Sequence, residues 1–291
     1  MPEGHTLFRL ARSIDEHFAG RVVSVSSPQG RFAESAALLD GSRLVGAESL
    51  GKHLFVDFGK ERLLHVHLGL YGKFVINEGD PMPPVGQVRL RLATAPNGTR
   101  PASYGDLRGA TACELLTSAQ RQALADRLGP DPLRTDADWT RAWARVARSR
   151  APVGALLMDQ SVMAGVGNVY RAEVLFRHRI DPMRPGSTMR RGAFEQLWSD
   201  LVLLMADGVR TGRIDTVHVQ PDPAVVGRVQ RPVNDVDSPV FVYRRQGEPC
   251  LVCGSRIRTS ELVGRNLFWC PRCQPRFRSR AAVPKGARAD R

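Results

Sequence analysis

Apolar residues at positions 7, 10, 11, 14 and 18 recur at helical spacing, which predicts an amphipathic helix over residues 4–18. The period then changes. VVSVS at 22–26, LFVDF at 54–58, LLHVHL at 63–68, KFVI at 73–76 and VRLRLA at 88–93 are short runs set apart by Gly, Pro and Asn. That is the strand spacing of a sandwich or barrel. From about residue 115 the helical period returns. SAQRQALADRL, DADWTRAWARVARS, VGALLMDQS, GNVYRAEVLFRHR and RRGAFEQLWSDLVLLMADGVRTG predict helices, with PLRTD as a loop between the first two. Residues 212–240 hold Gly, Pro and Asp with weak periodicity and read as a long loop. Residues 241–273 contain short strands, and the basic, non-periodic tail from 278 reads as disordered. No internal repeat is evident.

The pattern predicts an α+β chain. A β-sandwich with a leading helix spans residues 1–116 and a helical domain spans 117–235. A small cysteine-rich module spans 236–277, and the tail follows at 278–291. Of the 291 residues, 42% are apolar, enough for sizeable cores. No run of apolar residues is long enough to span a membrane, and MPEGHTLFRL lacks the pattern of a secretory signal. A soluble, cytoplasmic protein is expected.

Charge narrows the partner. Lys and Arg number 42 against 29 Asp and Glu, a net charge of +13. Residues 220–291 hold 14 basic and 6 acidic residues, so a quarter of the chain carries most of the excess. A polyanion, nucleic acid first, is the expected partner. Only four of the basic residues are lysines: Lys52, Lys60, Lys73 and Lys285.

Cys250-x2-Cys253, sixteen residues, then Cys270-x2-Cys273 is the spacing of a tetrahedral four-cysteine zinc site. With all four positions filled by thiolates, one zinc ion is expected in a structural role, worth on the order of 10 kcal/mol of folding free energy. The residues between the two pairs are expected to form a β-hairpin bearing Arg256, Arg258 and Arg265. The fifth cysteine, Cys113, sits in an apolar strand and reads as core.

The chain opens Met1-Pro2-Glu3-Gly4. Loss of the methionine leaves Pro2 as a free secondary amine, and α-amino groups titrate near enough to neutrality to act as nucleophiles. Glu3 beside it is a candidate acid. Proline at position 2 is common, so these residues by themselves do not specify a chemistry.

Five separated stretches together resemble the formamidopyrimidine-DNA glycosylase and endonuclease VIII family. They are PEG at the start, LGKHL at 50–54, HVHLGLYGKF at 65–74, DQSVMAGVGNVYRAEVLF at 159–176, and FVYRRQGEPC with GRNLFWCPRCQ at 241–274. The resemblance implies a β-sandwich catalytic domain, a helix-two-turn-helix and a zinc-finger hairpin. It implies Pro2 as the catalytic amine, Glu3 as the acid and Lys52 as a catalytic-site lysine on a hairpin turn, against the plainer reading of an exposed turn lysine. Asn168 and Arg265 are implied to grip phosphates, although Asn168 also reads as a helix cap. The AGVG turn before it is expected to offer backbone N–H groups to a phosphate. Leu70 is implied to be the wedge that fills the stack, with Tyr71 stacking beside it. The damaged DNA strand is the implied partner, and a nucleoid-associated monomer the implied form.

Two departures matter. Asp106-Leu107-Arg108-Gly109-Ala110 stands where some relatives carry a longer loop with an arginine and a phenylalanine, and PEGHT resembles the endonuclease VIII branch, actinobacterial forms especially. The reading is a glycosylase with AP lyase activity that removes oxidised bases, pyrimidines foremost. The alternatives are an abasic-site lyase with little glycosylase action and a non-enzymatic zinc-dependent DNA-binding protein.

Overall fold

The computed structural model describes residues 2–220, 229–230, 232 and 237–278. Much of the 212–240 loop and all but the first residue of the tail from 278 lie outside the described residues. Helix α1 (Gly4–Phe18) comes first, and the five apolar positions that predict it are all buried. Then come β1 (Val22–Ser26), α2 (Ala33–Leu39), β2 (Ser42–Arg43), β3 (Gly46–Leu50), β4 (His53–Asp57), β5 (Leu63–His67), β6 (Lys73–Glu78), β7 (Val88–Thr94), β8 (Ser103–Arg108) and β9 (Ala112–Leu116). They form two antiparallel sheets, ordered β2-β1-β7-β8-β6 and β3-β4-β5-β9.

Strand alternation sends one set of side chains from each sheet inward. Val23, Val25, Leu90, Leu92 and Leu107 from the first meet Leu54, Val56, Leu64, Val66 and Cys113 from the second, with α1 closing the core. The other face of β4 and β5 therefore carries His53, Phe55, His65 and His67.

The second half contains α3 (Ser118–Ala125), α4 (Trp139–Val146), α5 (Val153–Leu156), α6 (Asn168–Arg177) and α7 (Arg191–Thr211). The helix predicted over VGALLMDQS is only the four-residue α5; Asp159 bonds the N–H of Ser161, and the chain turns instead. A core from α4 to α7 includes Val146, Leu157, Tyr170, Phe194 and Leu201. Every residue of α6 is buried, its charged residues included. Arg177 is held by Asp200 through two 2.7 Å bonds. Glu173 accepts the N–H groups of Phe241, Val242 and Tyr243 at 2.7–2.8 Å. These partners satisfy charges that would otherwise be costly to bury.

The last element is the hairpin β10 (Arg258–Leu262) and β11 (Arg265–Trp269). The short strands expected more broadly over 241–273 are confined to it. No helix among the described residues is long and apolar enough to cross a membrane.

Candidate active site

Glu3 organises the site. Its side chain is fully buried and reaches the N-terminus of α6, accepting N–H groups from Val169 at 2.8 Å, Gly167 at 3.1 Å and Tyr170 at 3.4 Å. The first N–H groups of a helix have no partner within it, and the helix dipole favours a negative charge there. Gly167 is the cap residue, and a Cβ on it would lie 2.5 Å from the Glu3 carboxyl carbon. The AGVG turn, expected to face a phosphate, spends its N–H groups within the chain: Gly167 donates to Glu3, Gly165 to Gln160 Oε1 at 3.0 Å and Ala164 to the Pro130 carbonyl at 3.1 Å. Burial pushes the Glu3 carboxyl above the usual carboxylate range, against the opposing pull of Lys52 and the three N–H donors. The neighbouring Gly4 donates to the Gly165 carbonyl at 2.9 Å and leaves no room for a side chain.

Lys52 sits with Gly51 in the two-residue turn between β3 and β4. Gly51 has φ +59°, and a Cβ there would lie 3.0 Å from both Ala164 Cβ and Gly165 N. Its N–H donates to Asp131 Oδ2 at 2.7 Å, and Asp131 Oδ1 accepts from Leu133 at 2.9 Å. The 164–167 turn thus touches both the N-terminal segment and the lysine turn, fixing them relative to each other. Lys52 is not an ordinary exposed turn lysine. Burial pushes its amine below the usual range; Glu3 opposes this, and Arg265 and Arg171 add to it.

Asn168 does not cap α6. Its Nδ2 donates to the Asn266 carbonyl at 3.0 Å, and its Oδ1 accepts from Arg171. It therefore ties α6 to the zinc hairpin, next to the exposed Arg265 at the start of β11. Sequence reasoning missed Arg171 and Asp131. Arg171 lies one turn beyond Asn168, a spacing that places both on one side of α6.

A cavity of about 890 Å³ opens beside Pro2, lined also by Thr6, Arg12, Leu70, Tyr71 and Lys73. Leu70 is 39% and Tyr71 85% exposed, at the tip of the β5–β6 loop, whereas Leu68 is core. Gly69 has φ +69°, and a Cβ there would fall 1.9 Å from Thr111 Oγ1, so this tip needs glycine. Asp106, Leu107 and Arg108 belong to β8 and are not loop; only residues 109–111 connect it to β9. Arg108 is held by Asp106 at 2.8 Å and the Val85 carbonyl at 3.0 Å.

The four paired cysteines come together as their spacing predicts. Their sulfurs lie within 4.8 Å of one another, with Cys250–Cys273 at 3.8 Å and Cys253–Cys270 at 3.4 Å. Zinc–sulfur bonds of about 2.3 Å in a tetrahedron place sulfurs about 3.8 Å apart. The set fits one zinc ion with no position left for substrate, which makes the metal structural.

Residues 1–113 match the formamidopyrimidine-DNA glycosylase N-terminal domain, 128–219 its H2TH domain, and 247–276 the zinc finger found in FPG and IleRS. The chain belongs to the formamidopyrimidine-DNA glycosylase and endonuclease VIII family. It is 52% identical over 279 residues to "Endonuclease 8 1" of Mycobacterium tuberculosis H37Rv, covering 94% of this chain and all of that one. A formamidopyrimidine-DNA glycosylase of Corynebacterium aurimucosum is 30% identical over 291 residues, covering 95% of this chain and 97% of its own. The fold matches Lactococcus lactis Fpg in complex with abasic-site DNA, with a TM-score of 0.75 at 21% identity, covering 94% of this chain and all of that chain.

Proposed function

We propose that the protein is a base-excision repair glycosylase with AP lyase activity that removes oxidised bases, pyrimidines foremost, through an imine at Pro2. The observation that carries this reading is the N-terminal segment: Pro2 lines the cavity, Glu3 beside it is buried on the α6 N-terminus, and the 164–165 turn packs against both Gly4 and the Lys52 turn. A DNA-binding protein without chemistry has no use for a buried carboxyl and a desolvated amine beside an N-terminal segment. The cavity gives an everted base somewhere to go, which favours glycosylase action over abasic-site cleavage alone.

The chemistry runs as follows. The helical half and the zinc hairpin grip the backbone, with Asn168, Arg265 and Lys52 on phosphates. Leu70 enters the stack and Tyr71 stacks beside it, offsetting the few kcal/mol that eversion costs. Pro2, freed of Met1, attacks C1′ as the C1′–N bond to the base breaks. Glu3, whose carboxyl burial raises, acts as the acid that supplies a proton to the sugar-ring oxygen. The Pro2 nitrogen then loses its proton and the ring opens to an iminium. That cation acidifies C2′–H; loss of this proton breaks the C3′–O bond, and a second elimination breaks C5′–O. Zinc takes no part in these steps.

Because Arg108 is tied to Asp106 and the 109–111 turn is short, little is available to fill the gap opposite the lesion. Single-turnover excision of thymine glycol, dihydrouracil, 8-oxoguanine and an abasic site, in duplex, bubble and single strand, tests the reading. Pyrimidine lesions should be cut readily, in bubble and single strand as well, with weak dependence on the opposite base. An enzyme confined to 8-oxoguanine opposite cytosine in duplex would overturn it.

A further inference from the structure

The face of β4 and β5 that points away from the sandwich core carries a row of histidines that the chemistry above does not use. His53 Nδ1 lies 2.9 Å from His65 Nε2, and His65 Nδ1 lies 3.0 Å from Glu114 Oε1. The His53 and His65 rings stack at 5.1 Å between centroids, Phe55 stacks on His65 at 5.2 Å, and His67 lies 5.0 Å from His53. His65 is buried, and the Glu114 side chain is 54% exposed, so the chain begins in solvent. It ends at the residue after Lys52, opposite His67 at the root of the Leu70 loop.

The hydrogen bonds fix the tautomers. An ionised carboxylate only accepts, so His65 carries its proton on Nδ1 and its Nε2 accepts. His53 must then donate from Nδ1, which leaves the lone pair on its Nε2. An imidazole held by a carboxylate-backed partner is oriented and ready to carry charge, as in other carboxylate–histidine pairs.

We infer that His53 is a DNA-phosphate contact beside Lys52, oriented by the Glu114–His65 chain, and that its Nε2 takes one proton from solvent as the phosphate docks. This rests on the proposal that the protein binds DNA. In the free protein the groups around His53 are His65 and His67 on β5, Lys52 on its own turn and Arg127 beyond α3. Burial first, and then these cationic or potentially cationic neighbours, push the imidazole down to about 3. The anions on this face are Glu114, at the far end of the chain, and Glu48 on β3, opposite Phe55 and already paired with Arg121. A phosphate brought to Lys52 supplies the missing anion. The proton added at Nε2 then donates to a phosphate oxygen while Nδ1–H stays on His65, and no bond within the DNA changes.

The test is calorimetry of the full-length protein with a duplex carrying a tetrahydrofuran abasic analogue, in buffers of differing ionisation enthalpy at about pH 6 and about pH 8. The wild type should take up part of a proton at the lower pH. Its affinity advantage over His53→Gln, which can still donate to His65, should grow up to about tenfold between the two. Glu114→Gln should reduce proton uptake and leave the salt dependence of binding unchanged. Equal proton uptake by the wild type and His53→Gln, or an affinity ratio that does not change with pH, would overturn the inference. Failure of the wild type to bind the duplex at all would instead remove the DNA reading beneath it.

Discussion

Replacing Glu3 by Gln separates what this residue does for the fold from what it does for chemistry. Both carboxylate oxygens are in use, Oε1 on Val169 and Oε2 on Gly167 and Tyr170. An amide keeps one oxygen and turns its NH2 toward a donor, so at least one buried N–H loses its partner. That costs about 1–3 kcal/mol. Loss of the charge at the α6 N-terminus adds about 0.3–2 kcal/mol, and relief of the buried charge offsets part of it. The net expectation is a loss of about 1–3 kcal/mol. The sign with pH follows from the raised carboxyl: the folded state holds the proton more tightly than the unfolded chain, so acid neutralises the wild type first in its folded form. Lowering the pH therefore adds stability to the wild type that the non-titrating Gln protein does not gain, and the gap between the two should widen as pH falls. Urea denaturation should show a midpoint lowered by roughly 0.5–1 M at unchanged slope. Single-turnover excision should fall at least about 100-fold, the lower end of what a positioned acid contributes. A Glu3→Gln protein with the wild-type midpoint would show that the three N–H bonds do not hold α6 to the N-terminal segment.

Cys250→Ser should release the metal and destabilise the core that Cys250, Phe241, Ile257 and Phe268 share, read by elemental analysis and thermal melting. Arg265→Ala should keep its zinc but weaken DNA binding, and the slope of log affinity against log salt should fall by about 0.9, one phosphate contact. His5 is buried against Tyr170, and burial, then Arg9, pushes its imidazole down to about 4. The unfolded chain therefore binds this proton first, and stability should be lost as pH falls from about 6.5 to about 4, by up to about 1.4 kcal/mol per pH unit. His5→Gln should flatten that part of a urea-midpoint profile.

Where the sequence pattern is strong, the fold follows it. Helix α1 has an apolar face at fixed intervals, and β1, β4, β5, β6 and β7 coincide with the alternating runs to within a few residues. The zinc site was legible because two tight cysteine pairs leave the sulfurs few other places to go. Other elements carry little local signal. β3 reads GAESL, with Ser49 its only buried residue, and exists through its pairing with β4. β8 contains Gly105 and Asp106, poor strand formers; its position follows from pairing with β6 and β7 and from the Asp106–Arg91 ion pair. The site itself was only half legible. Pro2, Glu3, Lys52, Asn168 and Arg265 could be named, yet what positions them is distant in sequence. Glu3 bonds residues more than 160 positions away, and Asp131 holds Gly51 across 80. No local pattern announces that an aspartate between two prolines orients a lysine turn, or that the helix N-terminus is already occupied by a carboxylate.

The central claim is that the amine of Pro2 forms the covalent link to the sugar. Borohydride trapping of the untagged protein on an oligonucleotide with an abasic site, followed by proteolysis and mass spectrometry, tests it most directly. The modified peptide should be the N-terminal one, lacking Met1 and carrying the reduced sugar on the Pro2 nitrogen. A sugar adduct on Lys52, or trapping undiminished when an uncleaved N-terminal extension blocks Pro2, would contradict it.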